Sequence, residues 1–176
     1  MTKTSIALIG FMATGKTSVG QKLVDFLGNE YQFMETDQLI IEDAGKSIPK
    51  IFAEDGEIKF REYEIAACKK ASKYEKHIIS CGGGIVLNKI NIDYLKQNCY
   101  IVLLQTTAEE IYKRAMKDGQ ETRPVIDKED PKMEIENVLN FRKPFYEAAA
   151  EIIVDTTNKS IDEIVKEIIH KTKITI

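Results

Sequence analysis

The run Gly10-Phe11-Met12-Ala13-Thr14-Gly15-Lys16-Thr17 constrains this chain more than any other stretch of its sequence. It follows Ser5-Ile6-Ala7-Leu8-Ile9, which reads as a buried strand. It leads into Val19, Leu23, Phe26 and Leu27, an apolar face at helical spacing, with Gly28 placed to cap the helix. Strand, glycine loop and helix are the setting in which G-x-x-x-x-G-K-[ST] becomes a seat for phosphates; the competing reading is an ordinary strand–helix turn. Glycines let the backbone curl so that successive N–H groups converge on phosphate oxygens. The helix N-terminus adds partial positive charge. On this reading Ala13, Thr14, Gly15, Lys16, Thr17 and Ser18 surround the phosphates of a nucleoside triphosphate. Lys16 reaches the β- and γ-phosphates, and the Thr17 hydroxyl ligates the magnesium that bridges them.

Four further apolar runs, 31–35, 77–81, 100–104 and 151–155, alternate with longer helical patterns. Thr107-Ala108-Glu109-Glu110 and Ser160-Ile161-Asp162-Glu163 each match a capping box, and Ile161, Ile164, Val165, Ile168 and Ile169 form one helical stripe. Alternation of this kind predicts a parallel sheet covered by helices on both faces, an α/β/α sandwich with five strands. At 176 residues and 43% hydrophobic, the chain has the size of one domain, 1–176. Residues 118–132 break the rhythm: they are polar, carry Pro124 and Pro131, and read as a lid. A net charge of −3 gives no general attraction to nucleic acid or anionic membrane, so an anionic ligand must be held by local charge. Cys68, Cys81 and Cys99 form neither a disulfide framework nor a zinc pattern, and a cytoplasmic location is expected. No run is long enough to span a bilayer, and the N-terminus carries no signal-peptide pattern.

Downstream of the glycine loop lie Glu35–Glu64 (ETDQLIIEDAGKSIPKIFAEDGEIKFREYE), ISCGGGIV at 79–86, RPVI at 123–126 and NFRKPFYEAAA at 140–150. Taken with GFMATGKTS, these segments resemble the shikimate kinase family, in order, over residues 6–155. The resemblance implies a P-loop kinase fold and transfer of the γ-phosphoryl group of ATP to the 3-hydroxyl of shikimate. That is a step of aromatic amino-acid (chorismate) biosynthesis, with one magnesium ion per subunit. ATP and shikimate are the partners it implies, with no nucleic acid or membrane, and a monomer is expected.

Residue by residue, the resemblance places Asp37 on the shikimate hydroxyls, in a substrate-binding segment at 37–64. A carboxylate there accepts hydroxyl protons; on local sequence alone Asp37 reads as a helix N-cap. Arg61 and Arg142 match the pair that clamps the shikimate carboxylate, a task suited to planar guanidinium groups. Read locally, Arg61 pairs with Glu57 or Glu64, and Arg142 pairs with Glu147 or sits in solvent. Gly83 matches a glycine that contacts shikimate, and Phe52 and Phe60 match apolar pocket walls or simply core. Arg123 matches the lid arginine that reaches over the ATP phosphates, and one of Lys113, Arg114 and Lys117 falls where adenine is stacked. Cys81 reads as a small buried residue. One position departs from the family: Glu35-Thr36-Asp37 stands where D-x-D is usual. Glu35 is thereby expected to hold magnesium through water. The third strand ends Ile79-Ser80-Cys81, with no Walker B aspartate, as the family implies.

Overall fold

The computed structural model describes residues 3–117 and 130–174. Along the chain run β1 (Ser5–Ile9), α1 (Lys16–Leu27), β2 (Gln32–Glu35), α2 (Thr36–Ala44), α3 (Ile48–Glu54), α4 (Gly56–Ala71) and β3 (His77–Ser80). A 3-10 turn at Ile85–Leu87 then precedes α5 (Lys89–Leu95), β4 (Cys99–Gln105), α6 (Ala108–Lys117), α7 (Pro131–Ala149), β5 (Ile152–Asp155) and α8 (Ile161–Thr172). The five strands form one sheet in the order β2-β3-β1-β4-β5, every pairing parallel. Strand β1 lies at its centre, with Ala7 beside Ile79 of β3 and Ile101 of β4.

Side chains alternate across a strand, so β1 supplies both layers. Ile6 and Leu8 pack with Val19, Leu23 and Leu27 of α1 and Ile164, Val165 and Ile168 of α8. Ala7 and Ile9 pack on the other face with Leu39, Ile40, Ala67, Ile92, Ile111 and Ile135, drawn from α2 and α4 to α7. Burial on both faces is why the strands read as near-continuous apolar runs. The connections leaving β1 and β3 depart in opposite directions along the sheet, which opens a crevice at their carboxyl ends.

Three local expectations change. Phe26 is exposed, while Val19, Gly20, Leu23 and Leu27 are the buried residues of α1, and a Cβ on Gly20 would meet the Phe33 ring at 2.5 Å. Ile161 is exposed at the first turn of α8, while Ile164, Val165 and Ile168 carry that stripe. Ser160 and Glu163 complete a capping box. Thr107, by contrast, accepts from the Glu110 amide while the Glu110 carboxylate is taken by Arg114. Among the described residues no helix is long and apolar enough to cross a membrane.

Gly10, the last residue before the loop, has φ 146°, and a Cβ there would lie 2.3 Å from the backbone oxygen of Leu104. Neither β1 nor β4 can retreat, since both sit inside the sheet. Gly10→Ala is therefore expected to cost about 2–4 kcal/mol through overpacking and backbone strain. In a chain of this size the melting temperature should fall by roughly 5–15 °C. A thermal melt superimposable on the wild type would refute the close approach.

Candidate active site

The loop between β1 and α1 curls tightly around its own carbonyls. Gly15 takes a left-handed conformation at the N-cap of α1, φ 92°, and Ala13 does so at φ 56°. The Thr14 hydroxyl, buried, donates to Phe11 O at 2.8 Å and closes the turn. Lys16 folds back over the loop, its ammonium donating to Gly10 O at 2.9 Å and Phe11 O at 2.8 Å. The Thr17 hydroxyl donates to Glu35 Oε1 at 2.8 Å, which joins the loop to the end of β2. A cavity of about 390 Å³ opens here, lined by residues 12, 13 and 15–18, by Glu35 and Asp37, and by residues 80–83. Ala13, Gly15, Lys16, Thr17 and Ser18 thus share one cleft; Thr14 lies beneath them.

Opposite the loop, the backbone at 82–84 runs against three polar side chains in turn. A Cβ on Gly82 would lie 2.6 Å from Asp37 Oδ1, one on Gly83 would lie 3.7 Å from Arg142 Nη1, and one on Gly84 would lie 3.0 Å from Arg61 Nη1. Side chains from elsewhere hold this backbone in place. The Gly82 amide donates to Thr36 Oγ1 at 2.9 Å, and Tyr146 Oη donates to Gly83 O at 2.6 Å. The structure therefore brings Asp37, Gly83, Arg61 and Arg142 together, as the sequence predicted. Thr36 and Tyr146 were missed. Tyr146 stands one helical turn after Arg142, a spacing that puts both on one face and could have revealed it; Thr36 carried no such signal.

The two arginines are held differently. Arg61 Nη1 contacts both oxygens of Glu64 at 3.1 Å, and its Nη2 reaches Glu57 Oε1 at 3.2 Å. Both local pairings therefore form, while the guanidinium still borders Gly84. Arg142 lies with its Cζ 5.8 Å from the centre of the Phe11 ring and donates to the Tyr146 hydroxyl. Among the described residues it has no carboxylate partner; Glu147 faces Lys143 instead. Burial pushes the Tyr146 hydroxyl up to about 12, against the pull of Arg142, so it remains a donor at neutral pH.

Asp37 is in the first turn of α2, whose N-cap residue is Glu35, so the capping alternative does not hold. Asp37 is exposed at the mouth of the cleft while protein surrounds the rest of its carboxyl, so solvent screens part of the effect of burial. Burial pushes its carboxyl up, the Lys16 ammonium opposes this, and Glu35 adds to it. Of the three basic residues before position 118, Arg114 reaches the loop. It donates to Ala13 O at 3.4 Å, Thr156 Oγ1 at 3.2 Å and Thr156 O at 3.1 Å, while Lys113 and Lys117 are exposed. Phe60 is core, but Phe52 is 42% exposed and rests on the Phe60 ring at 4.5 Å, so it is not core. Cys81 is buried beneath the cleft with its thiol pushed far up by burial, which leaves it inert. Arg123, and the lid expected at 118–132 apart from residues 130–132, lie outside the described residues.

Known proteins match this arrangement along almost all of its length. The family model described as shikimate kinase matches residues 12–173. A shikimate kinase of Caldanaerobacter subterraneus subsp. tengcongensis is 41% identical over 166 residues, covering 94% of each chain. One from Enterococcus faecalis is 40% identical over 169 residues, 96% of this chain and 98% of the relative. Among solved structures, a shikimate kinase from Acinetobacter baumannii in complex with shikimate superposes with a TM-score of 0.87. It is 29% identical and covers 97% of this chain and 93% of that one.

The raised carboxyl of Asp37 has a consequence for stability. The folded protein holds this proton more tightly than the unfolded chain does. The penalty for its charge is complete above the folded-state pKa and absent below the ordinary aspartate range of about 4. Asp37→Asn should therefore raise the melting temperature at neutral pH, with the gain vanishing as the pH falls below that range. A gain that is absent at pH 7, or equal at every pH, would contradict the assignment.

Proposed function

The chain belongs to the shikimate kinase family, and from that premise we propose which of its residues transfer the γ-phosphoryl group of ATP to the 3-hydroxyl of shikimate. One observation carries the reading. The phosphate-binding loop and Asp37 share one cleft lined by residues 80–83, and the glycine run that lines it continues against Arg142 at Gly83 and Arg61 at Gly84. ATP lies along residues 13–18. Lys16, already over the loop, turns its ammonium from the Gly10 and Phe11 carbonyls to the β- and γ-phosphates. Arg114, anchored on Ala13 and Thr156, supplies the plane on which adenine stacks. Arg123 is assigned to the transferring phosphoryl group on the family resemblance.

Shikimate enters with its carboxylate toward the two arginines. Arg142 offers a guanidinium that no described carboxylate neutralises. At Arg61 the incoming carboxylate replaces Glu57, whose side chain is 67% exposed, while Glu64, 3% exposed, stays in place. The 3-hydroxyl donates to Asp37, whose raised proton affinity suits it to receive that proton as the oxygen–phosphorus bond forms and the β–γ bridge breaks. The protein's work is positioning and charge neutralisation, with no covalent intermediate.

The donor set fits magnesium. Thr17 Oγ1 and Glu35 Oε1, 2.8 Å apart, are hard oxygen ligands beside the phosphate seat. Magnesium usually keeps several waters and takes the rest of its shell from phosphates, so two oxygen ligands suffice. Bound there, magnesium would neutralise phosphate charge. Thr17 would be a direct ligand and Glu35 a partner of its waters.

The assignment is tested by coupled detection of ADP, whose release should require both shikimate and magnesium. ADP formed equally fast with gluconate or a nucleoside monophosphate, and not with shikimate, would end it. Arg142→Ala should raise the shikimate KM by about 10–100-fold, through loss of a charged hydrogen-bonded pair, with the ATP KM within about twofold. An unchanged shikimate KM would return Arg142 to a structural role.

Magnesium titration examines Glu35. Glu35→Asp should keep much of the activity, because water placement absorbs one methylene. Glu35→Gln should raise the magnesium concentration for half-maximal rate by about 3–10-fold, on the scale of one lost charged hydrogen bond. Superimposable titrations of Glu35→Gln and wild type would remove Glu35 from the metal site.

A further inference from the structure

Asn91, in the first turn of α5, is fully buried and belongs to none of the motifs above. Its one amide nitrogen donates twice, to Glu64 Oε2 at 3.1 Å and to Ile85 O at 3.1 Å. Among the described residues its own Oδ1 has no partner. An unpaired buried carbonyl is costly, and an aliphatic side chain of similar size would avoid it. The two donated bonds are therefore what distinguishes asparagine from a space-filling residue at this position.

Both bonds lead to the acceptor side of the cleft. Ile85 follows Gly84 directly, so one bond ties down the exit of the glycine run. Glu64 is 2% exposed and carries Arg61 Nη1 on both of its oxygens. Arg61 in turn lies against Gly84. We propose that Asn91 is a positioning residue for the substrate carboxylate clamp, holding Glu64 so that Glu64 holds Arg61 against the glycine run.

Without the amide, Glu64 loses its only described donor other than Arg61, in a setting where burial already pushes its carboxyl up. A protonated or rotated Glu64 releases Arg61 toward Glu57 and solvent. Asn91's hydrogen bonds run to Glu64 and Ile85 and not to the phosphate loop, so the effect is expected at the acceptor.

The inference rests on the clamp assigned under the proposed function, and a double-mutant cycle separates the two. Asn91→Leu should raise the shikimate KM roughly 5–30-fold, part of the effect of losing Arg61 outright, with kcat and the ATP KM within about twofold. In an Arg61→Ala background the same substitution should add less than about twofold, since the path it acts through is gone. An equal multiplication in both backgrounds, or a lowered melting temperature with an unchanged shikimate KM, overturns the inference and leaves Asn91 as packing. If Arg61→Ala raises the KM and Asn91→Leu does not, the clamp stands and the inference falls. If Arg61→Ala itself changes nothing, the clamp fails and the inference with it. Should Asn91→Leu not fold, Asn91→Asp keeps the shape, sets a second carboxyl beside Glu64, and carries the same cycle with the same readings.

Discussion

Where Gly82, Gly83 and Gly84 lack β-carbons, three side chains from distant parts of the chain come up against one stretch of backbone. Positions that a Cβ would fill lie 2.6 Å from Asp37 Oδ1, 3.7 Å from Arg142 Nη1 and 3.0 Å from Arg61 Nη1. Any larger residue at 82 or 84 would force the carboxylate or the guanidinium aside. The acceptor half of the cleft depends on this close approach. It also explains why Thr36, Tyr146 and Asn91 spend hydrogen bonds on the backbone at 82, 83 and 85. A glycine run left to itself is the most freely moving kind of chain; three buried side chains hold it in one shape.

The donor half solves a different problem. With a net charge of −3 the molecule offers a triphosphate no general attraction, so affinity has to come from a few groups at one point. Lys16, the amides of the loop and the start of α1 supply that charge, and strand β1 brings them to the centre of the sheet. Asp37 stands close enough to Lys16 to feel its field, yet burial dominates and its proton affinity rises. The surroundings that raise its proton affinity also disfavour its charge in the folded state.

The local reading of Arg61 and the one the family resemblance implies can both hold in one geometry. Arg61 forms the ordinary helix-surface pairs with Glu57 and Glu64 and borders the glycine run as well. One partner is exposed and exchangeable while the other is buried and fixed. The helix-surface pairs thus leave Arg61 against the glycine run, and the two readings are not alternatives.

The sequence by itself determined whatever depends on residues a few positions apart. The strand–loop–helix around Lys16, the parallel sheet and the capping of α8 all follow from spacing that a local stretch enforces. The acceptor half of the candidate site was legible only through the family resemblance, because a lone carboxylate or guanidinium on a helix reads locally as a cap or a surface pair. Tertiary structure decided the remainder. The buried face of α1 includes Gly20, packed against Phe33 of β2, and leaves Phe26 outward. Arg114, rather than Lys113 or Lys117, meets the phosphate loop because it hydrogen-bonds Ala13 and Thr156, partners 101 and 42 positions away in the chain. Asn91 meets Glu64 across 27 positions of chain, and Tyr146 meets Gly83 across 63. Periodicity reports which face of an element is buried and is silent about what it is buried against. Partners this far apart are chosen only when helices pack on the sheet.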